Sequence, residues 1–435
     1  MSQLLSEKFK YLIEYKSGYT WSKDQENIKK EDGSIRVLTV TNVQKTLDLR
    51  SELYLTKVSE NDKIEKAVSK DWTIAVSSNG NRSRIGNAIF VENDSEYLFA
   101  SFLTAFKPKV DFLDPKYFYY WFSSNYVQQS ISSVAEGSTG LSNLDIRYLR
   151  NMDIKYHNSS DEQKAIATIL SKVDEAIETT KQSINSAQKL KTSLMQNLLT
   201  GKIKPDGTKR KDDEFYYDEK LGKVPNDWEV KTFKEITSLI KRGKSPTYAN
   251  DSNGIVIINQ KCIGWDTINF DEVKYHVLEN APVDRYLLDK DILINSTGTG
   301  TIGRVTQFYV QEFDCLADSH VTVLRILDEY DSEFFKYYLM SYSGQKFLES
   351  YCFTGSTNQL ELSRKYLSKL RVAFPKDKQE QEAISEVLNN MKNNIEYKQN
   401  KIKKLENLKK SLMQNLLTGK MRLDEKLIKE LISHV

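Results

Sequence analysis

The decapeptide SLMQNLLTGK occurs twice in this chain, at residues 193–202 and again at residues 411–420. Sliding the sequence on itself by 218 residues (411 minus 193) also places GSTGLSNL over GSTNQLEL, DEQKAIATIL over QEQEAISEVL and KYFYYW over FFKYYL. Further upstream the shift becomes 220, which brings Asp71 onto Asp291. Similarity of this extent indicates that the chain contains two copies of one unit.

Each copy ends in a long segment without glycine or proline, from residue 161 to 200 and from residue 376 to 418. A capping box before each segment and a glycine after it predict one long helix per copy. The capping boxes are Ser159-x-x-Glu162 and Asp377-x-x-Glu380, and the terminal glycines are Gly201 and Gly419.

Apolar residues inside the long segments are spaced alternately four and three apart, which is typical of a coiled coil. A helix of roughly 40 residues is about 60 Å long, and with one apolar stripe it needs a partner helix. A pseudo-twofold axis between the copies would make the two helices antiparallel partners and spacers between the globular parts. The alternative is that each helix packs only onto its own globular part. The predicted coiled-coil seam is Ile166, Leu170, Val173, Ile177, Ile184, Leu194, Leu198, Ile384, Leu388, Met391, Ile395, Ile402, Leu405, Leu412 and Leu416.

The residues before each long helix have mixed character. Segments rich in Val, Ile and Thr, such as SIRVLTVTNV and DILINSTG, predict strands. We therefore expect an α+β fold, with two pseudo-symmetric mixed α/β domains separated by an antiparallel coiled coil. The expected organisation is a first domain at 1–158, a helix at 159–202, a linker at 203–226, a second domain at 227–376, a helix at 377–420 and a tail at 421–435.

Two further segments have a structural and a functional interpretation. DPKYFYYWFSSN and SEFFKYYLMSY predict one amphipathic helix per copy, whose aromatic face packs in the core or, alternatively, stacks on bases. The linker is charged and contains two prolines, and its Lys209-Arg210-Lys211 run is expected to be solvated rather than bound to phosphate. The core face of the aromatic helices is Phe118, Trp121, Phe122, Phe335, Tyr338 and Leu339.

Composition excludes several classes of protein. The net charge of +3 is too small to argue by itself for nucleic-acid binding. The cysteines, Cys262, Cys315 and Cys352, are odd in number and form no Cys-x-x-Cys pair, which predicts a reduced cytoplasmic protein and no zinc site. The first residues contain no apolar core of signal-peptide length, and no run of 18 apolar residues occurs, so we expect neither export nor a membrane span. The four histidines have no ligand spacing, so the sequence predicts no metal site.

The pattern NSTGTGTIGRV satisfies G-x-G-x-x-G with Gly298, Gly300 and Gly303. A dinucleotide site requires a helix after this pattern, whereas RVTQFYV predicts a strand. We therefore expect a hairpin rich in glycine and hydroxyl groups, which can approach a polyanion or can be a structural turn. Walker, H-E-x-x-H, G-x-S-x-G and amino-methyltransferase motifs are absent, so no catalytic residue is predicted.

The order of these motifs resembles the specificity subunit of a type I restriction-modification system. The marks are RGKSPTY with NGIVIINQKCI, DILINSTGTGTIGRV, GSTNQLELS, EQEAI and LKKSLMQNLLTGK, and VPNDWEVKTFKEI opens the second half. The first half has SGYTWS, SIRVLTVTNV, DWTIAVSSNG, GSTGLSNL, DEQKAI and LKTSLMQNLLTGK. The first half departs from the family pattern, because it lacks the prolines that usually precede the long helix and the Trp-Glu opening that the second half has. The C-terminal tail is a candidate to complete the first half in space.

The resemblance implies that each domain reads one half of a bipartite, asymmetric double-stranded DNA target, while the paired helices set the gap. It implies two methyltransferase subunits that hold S-adenosylmethionine, motor-nuclease subunits that use ATP and Mg²⁺, and no cofactor on this chain. Direct readout in the major groove uses Arg, Lys, Asn and Gln. The predicted DNA contacts, each with an ordinary surface role as its alternative, are Lys16, Thr39, Thr41, Asn42, Ser78, Asn79, Asn81, Arg82 and Arg84 in the first domain, and Lys241, Arg242, Lys244, Asn259, Gln260, Lys261, Thr297, Thr299 and Arg304 in the second.

Two other functional classes remain open from the sequence. A fused enzyme with its own nuclease or methylase would need motifs that the chain lacks. A coiled-coil scaffold that binds only proteins would need no DNA-binding loops.

Overall fold

The computed structural model contains two compact units, Met1–Lys181 with Asn400–Val435, and Gln182–Gln399. Unit 1 therefore combines the first globular copy with the start of the first long helix and the end of the second. Unit 2 combines the second globular copy with the remaining halves of the two helices. The structure describes residues 4–44, 46–135, 140–249, 254–278, 285–356 and 359–433.

The first copy contains twelve described strands and ends in a long helix. The strands are β1 Leu5–Lys8, β2 Ile13–Ser17, β3 Glu26–Asn27, β4 Ile35–Leu38, β5 Tyr54–Leu55, β6 Thr73–Val76, β7 Ser78–Asn79, β8 Ala88–Phe90, β9 Leu98–Phe99, β10 Leu103–Pro108, β11 Ser142–Asn143 and β12 Asp153–Tyr156. The helices are α1 Phe9–Leu12, α2 Glu60–Glu65, α3 Pro115–Phe122, α4 Asn125–Val134, α5 Ile146–Asn151 and α6 Ser160–Leu198.

The second copy follows the same order after an additional hairpin. Its strands are β13 Phe215–Asp218, β14 Gly222–Pro225, β15 Trp228–Thr232, β16 Thr237–Arg242, β17 Ile255–Ile258, β18 Lys274–His276, β19 Ile292–Asn295, β20 Val305–Gln307, β21 Cys315–Ala317, β22 Val321–Ile326, β23 Phe353–Thr354, β24 Glu361–Leu362 and β25 Arg371–Pro375. The helices are α7 Phe233–Ile236, α8 Ser332–Met340, α9 Tyr342–Phe347, α10 Arg364–Lys369 and α11 Lys378–Leu416, and the tail forms α12 Glu425–Ile432.

Both copies are built on the same antiparallel four-stranded sheet. Its strand order is β2-β10-β6-β8 in the first copy and β16-β22-β19-β20 in the second. Beside it, β4 pairs in parallel with β9, and β17 pairs in parallel with β21. The opening strands β1 and β15 pair with β12 and β25, just before the long helices. The predicted duplication and α+β class are therefore confirmed.

The two long helices have 39 residues each, and their bounds differ by the same 218 residues as the repeated decapeptide. In unit 1, Ile166 and Leu170 from the start of α6 share a core with Leu416 from the end of α11. In unit 2, Leu198 from the end of α6 shares a core with Ile384 from the start of α11. The paired segments therefore run antiparallel in each unit. Of the predicted seam, Ile166, Leu170, Ile177, Ile184, Leu198, Ile384, Leu388 and Leu416 are buried, and Val173, Leu194, Met391, Ile395, Ile402, Leu405 and Leu412 are half-buried.

Capping side chains define where the long helices begin. The Ser159 hydroxyl accepts the amide of Glu162 at 3.3 Å, and the Asp377 carboxylate accepts the amide of Gln379 at 2.9 Å. Both terminal glycines have a left-handed φ of +68°. The helices end four residues before the predicted 202 and 420, at Leu198 and Leu416, because the last predicted turn is the capping turn itself.

The aromatic helices α3 and α8 lie in the cores of their units. Asp114 caps α3 by accepting the amides of Lys116 and Tyr117 at 3.0 and 2.8 Å. All six side chains from Tyr117 to Phe122 are buried, so α3 is enclosed on every side rather than amphipathic. Phe335, Tyr338 and Leu339 are buried in α8 as well. The prediction of core packing is confirmed, and these rings are not available for stacking on bases.

The segment expected to be a linker is ordered and packs within unit 2. It contains the β13–β14 hairpin, and the side chain of Arg210 is only 1% exposed. Its guanidinium bonds to Asp227 at 2.9 Å and to Glu380 at 2.8 Å. The expectation that the Lys209-Arg210-Lys211 run is solvated is therefore wrong for Arg210, while Lys209 and Lys211 are exposed. Two carboxylates, invisible to local sequence patterns, hold the arginine inside.

The C-terminal tail contacts the first copy through Arg422. Arg422 bonds to Glu162 with an Nε–Oε1 distance of 2.6 Å, and Glu162 is the counterpart of Glu380. A Cβ built on Gly419 would lie 3.1 Å from the Leu4 side chain, just as one on Gly201 would lie 3.1 Å from the Trp228 ring. The start of the chain and its tail therefore supply in unit 1 what the Trp-Glu opening and the linker supply in unit 2.

Candidate functional site

The glycine-rich segment of the second copy joins two antiparallel strands, β19 and β20. Its glycines, Gly298, Gly300 and Gly303, have φ of +97°, +77° and +81°, a region that favours glycine. A helix with its N-terminus facing a pyrophosphate is the feature that a dinucleotide site requires, and here a strand takes that place. The predicted strand after the glycine-rich segment is therefore confirmed.

This hairpin contacts the loop that follows β17, and the contact brings two predicted residues together. The Asn295 amide donates to the main-chain oxygen of Gln260 at 3.0 Å. The hydroxyl of Thr297 donates to Oε1 of Gln260 at 3.1 Å. The loop 259–261 and the hairpin 296–304 thus form one surface.

Arg242, at the end of β16, joins the same surface. Its guanidinium forms an ion pair with Glu361 and donates to the main-chain oxygen of Leu362 at 3.1 Å. The main chain of Glu361 also forms an isolated antiparallel β-bridge with that of Thr297. Sequence reasoning missed Glu361, because the matched first-copy segment has Asn143 at that position and neither residue type alone indicates a recognition surface.

The predicted residues of the second domain differ in exposure. Asn259 is 6% exposed, and its side chain is bonded inside the loop. Its amide nitrogen donates to the main-chain oxygen of Glu272 at 2.8 Å, and its Oδ1 accepts the main-chain amide of Lys261 at 2.8 Å. Arg304 donates to the main-chain oxygen of Gly300 at 3.1 Å. Lys241, Lys261 and Thr299 are exposed, and Arg242, Lys244, Gln260, Thr297 and Arg304 are half-buried.

The first copy brings the equivalent two loops together through a different residue. Arg84 donates to the main-chain oxygens of Val40 and Val43, the latter at 3.3 Å. The hydroxyls of Thr39 and Thr41 lie 2.7 Å apart. Residues 39–43 and 78–84 therefore share one surface.

Several predicted residues of this first surface are held by their own loops. Asn42 is 1% exposed, and its side-chain amide donates to the main-chain oxygens of Asp48 at 2.7 Å and Ser51 at 2.9 Å. Arg82 donates to the main-chain oxygens of Ser132 and Ser133, at the end of α4, at 2.7 and 2.8 Å. Asn79 accepts the amide of Asn81 at 2.8 Å, and Asn81 accepts that of Ser83 at 3.0 Å. Thr41, Asn81 and Arg82 are exposed, and Lys16, Thr39, Ser78, Asn79 and Arg84 are half-buried.

Lys16 and Lys241 occupy equivalent positions, since each faces the same residue of the central strand, Ala105 or Val323. The ammonium of Lys16 donates to the main-chain oxygens of Glu65 and Ala67 at 3.0 and 3.3 Å and lies 4.6 Å from the Trp72 ring. Burial, followed by the nearby charge of Lys66, lowers the pKa of Lys16. Lys241 is exposed.

One glycine per copy shapes the strand end beside these lysines. A Cβ on Gly18 would lie 2.1 Å from the main-chain oxygen of Ala100, and one on Gly243 would lie 2.0 Å from that of Ala317. Only glycine fits such an approach. The frame of the surface is therefore the same in both copies.

Metal-binding clusters and membrane-spanning helices are not formed by the described residues. Within 4–433, excluding the gaps given above, no group of three or more His, Cys, Asp or Glu side chains is placed to hold a metal ion. In the same part of the chain no helix combines the length and apolar character that crossing a membrane requires. Cys262, Cys315 and Cys352 are buried free thiols.

Two segments, residues 7–189 and 225–407, match the family described as "Type I restriction modification DNA specificity domain". The MjaVIII specificity subunit of a type I restriction enzyme from Methanocaldococcus jannaschii is 27% identical over 337 residues, which are 75% of this chain and 74% of that protein. The MjaX specificity subunit from the same organism, described as putative, is 26% identical over 348 residues, 78% of this chain and 76% of that protein.

Solved structures show the same fold. The S subunit of the type I restriction-modification system from M. genitalium superposes with a TM-score of 0.57 at 16% identity, covering 95% of this chain and 96% of that one. A chain from a study of complex assembly and conformational transition of the type I system gives 0.54 at 12% identity, covering 96% and 98%. With two matched domains that span most of its length, this chain belongs to the family of type I restriction-modification specificity subunits.

Proposed function

We propose that this chain is a non-catalytic subunit whose two domains each recognise one half of a bipartite, asymmetric DNA target. The long helices set the gap between the halves and dock two adenine methyltransferase subunits. Motor-nuclease subunits join the complex to cleave unmodified DNA. S-adenosylmethionine, ATP and Mg²⁺ belong to these partners in this proposal.

The observation that carries the proposal is that one backbone frame presents two different sets of side chains. Gly18 and Gly243 have the same close approach, and the same two loops meet in each unit. On that frame the first copy exposes Thr41 and Asn81, whereas the second copy exposes Lys261 and Thr299. Because base edges are distinguished by the side chains that reach them, the two surfaces suit two different sequences.

The repeated decapeptide supports docking of one kind of partner twice. Packing explains why its buried members are identical, but Ser193, Gln196 and Lys202 are exposed, as are Ser411, Gln414 and Lys420. Exposed neighbours have diverged, with Lys189 in one copy and Asn407 in the other. Identity at exposed positions is expected where both copies bind the same surface.

A recess lies beside the decapeptide in each unit. In unit 1 it has a volume of about 930 Å³, and its walls include Tyr126, Met413, Gln414 and Lys420. In unit 2 it has a volume of about 470 Å³, and its walls include Leu199, Tyr342 and Lys346 together with residues of the additional β13–β14 hairpin. Aromatic residues are enriched at protein–protein interfaces, and Tyr126 and Tyr342 are exposed at these recesses.

Genome-wide mapping of methyladenine tests the recognition function. Cells that contain the methyltransferase partner are compared with and without this chain. We expect methylation at one split motif with two unlike halves to disappear when the chain is absent. Unchanged methylation in the presence of an expressed partner would contradict the proposal.

Docking is tested by the stoichiometry of the purified complex. A Gln414→Arg/Lys420→Glu variant should retain one methyltransferase subunit in place of two, as measured by native mass spectrometry, and the matched Gln196→Arg/Lys202→Glu variant should do the same. An Asn407→Lys variant, at an exposed position that differs between the copies, is the control and should keep two. Two subunits on both decapeptide variants would exclude this surface.

A further inference from the structure

The two units join their long helices by different charge arrangements at equivalent positions. In unit 1, Asp174 of α6 bonds to Lys409 of α11 at 2.6 Å and accepts the Tyr120 hydroxyl at 2.9 Å. The counterparts of Asp174 and Lys409 at the 218-residue shift are Lys392 and Lys191. Where unit 1 has an opposite-charge pair between helices, unit 2 has two lysines.

A loop of the second domain supplies the missing carboxylate. Asp266 lies with Oδ1 3.1 Å from the Lys336 ammonium and Oδ2 3.2 Å from that of Lys392. Lys392 also donates to the main-chain oxygen of Asp266 at 3.1 Å. Burial lowers the pKa of Lys191, and Lys392 and Lys336 lower it further, while Asp266 acts in the opposite direction. Asp266 therefore neutralises positive charge that comes from α6, α8 and α11.

The carboxylate is enclosed, so its charge matters. Asp266 is 8% exposed and Lys336 is 1% exposed, and the Lys336 ammonium lies 4.0 Å from the centre of the Tyr337 ring. A buried charge without its partner is strongly unfavourable. Asp266 also has a left-handed φ of +58°, and its amide donates to Val305 at 2.9 Å. The main-chain amide of Asp266 is thus held by β20, and its carboxylate is held by lysines of the helices.

Asp266 follows the predicted DNA-contacting residues 259–261 within one short loop. The loop closes on itself, with Asn269 donating to Cys262 at 2.8 Å and Gly264 donating to Thr267 at 3.0 Å. The corresponding first-copy sequence, Gln44-Lys45-Thr46, contains no carboxylate. The link between recognition loop and helices through an acidic side chain therefore belongs to the second domain.

We propose that Asp266 is a positioning residue that fixes the recognition loop of the second domain against the long helices, so that readout of the second half-site depends on it. This inference deepens the proposed function and rests on it. Loss of the Asp266 charge releases the loop and weakens discrimination among second half-sites, while readout of the first half is unchanged.

Asp266→Asn alone leaves Lys336 buried without its partner and is expected to lower the thermal stability of unit 2. The double variant Asp266→Asn/Lys392→Asp separates folding from positioning. It restores between positions 392 and 191 the opposite-charge pair that Asp174 and Lys409 form in unit 1. It is therefore expected to recover part of the thermal stability that Asp266→Asn loses, since Lys336 still has no carboxylate partner, and the loop link is still absent.

The experiment measures the methylated motif of each variant in the complete complex with its methyltransferase partner, on a pool of targets with both halves and the gap varied. The double variant should lose about ten-fold in discrimination in the second half, the scale of one well-placed base contact. The control Asp174→Asn should lower thermal stability without relaxing the second half.

Each outcome separates this proposal from the function it rests on. If the unaltered chain methylates no split motif, the proposed function fails. If it does so and the double variant discriminates as well as the unaltered chain, Asp266 does not position the loop. A double variant less stable than Asp266→Asn would contradict the charge equivalence of the two helix pairs and overturn the proposal.

Discussion

Unit 1 and unit 2 close the start of a long helix in the same way, but they hold the helix pair together differently. Glu162 and Glu380, at equivalent positions, each bind an arginine from the segment that follows the other helix. Farther along, a direct Asp174–Lys409 pair in unit 1 is replaced in unit 2 by lysines that share Asp266. Duplication thus preserved the frame and allowed each copy a separate arrangement of charges between its helices.

The largest loss of stability is expected from breaking the ion pair at the start of a long helix, which both units contain. Arg422→Ala leaves Glu162, which is 3% exposed, without its main partner and should cost about 3 kcal/mol of unfolding free energy. Arg210→Ala leaves Glu380 and Asp227, whose side chains are 21% and 54% exposed and can be hydrated, so the cost should be about 2 kcal/mol. Denaturant unfolding measures both values. A larger loss for Arg210→Ala would show that packing of its buried side chain outweighs the charge left behind.

Arg304 and Arg84 occupy equivalent positions at the 220-residue shift, but they bond differently. Arg84 ties two loops together through Val40 and Val43, whereas Arg304 bonds only within its own hairpin, to Gly300, in the contacts described above. Arg304→Ala should cost about 1–3 kcal/mol of discrimination at one base position. Arg84→Ala should instead lower the stability of unit 1. Equal weakening on every sequence would identify Arg304 as a phosphate contact, and no effect would remove it from the surface.

The lysines at the strand end should behave in opposite ways. Lys241→Ala should weaken binding of all DNA sequences and reduce the slope of log affinity against log salt by about 1, because one phosphate contact is lost. Lys16→Ala should leave that slope unchanged and destabilise the domain, since its ammonium is bonded to Glu65 and Ala67. A salt titration of binding distinguishes them. A reduced slope for Lys16→Ala would mean that the lysine leaves its internal bonds on binding.

The smallest effect concerns pH. Burial alone raises the pKa of Glu162, but the bond from Arg422 and the charge of His157 outweigh it, so the pKa lies below its ordinary value. The unfolded group titrates near pH ~4.3. This stabilisation is therefore complete above that pH and is lost as the pH falls through the lower pKa of the folded state. As the pH falls from about 5 to about 3, the unfolding free energy should decline less steeply in Arg422→Ala than in the unaltered chain. Identical profiles would contradict this assignment.

Local patterns predicted the elements of the fold well. Heptad spacing and capping boxes placed α6 and α11 with starts within one residue and ends within four. The strand after Gly303 followed from its β-branched sequence. Arg210 and Arg422 could not be placed in this way, because their partners lie 170 and 260 residues away in the chain. The cluster of Asp266 and its neighbouring lysines forms where a loop meets α6, α8 and α11. Periodicity in the sequence does not predict which segments meet.

The proposed recognition surface is described by the sequence only in part. The loops that carry the predicted residues do meet in each unit, because the topology of the central sheet places them side by side. Which side chains point outward depends on internal partners. Asn42 and Asn259 are of the right type for reading adenine but close their own loops. Direct contact with DNA remains a prediction for the whole set, with the exposed members as the first choice.

The central proposal is that each unit reads its own half-site. The direct measurement is the methylated motif obtained with two double variants of exposed residues, Thr41→Ala/Asn81→Ala in unit 1 and Lys261→Ala/Thr299→Ala in unit 2. We expect each variant to relax one half of the motif only, and the two variants to relax different halves. Relaxation of the same half by both variants, of both halves by either one, or of neither half would contradict the account.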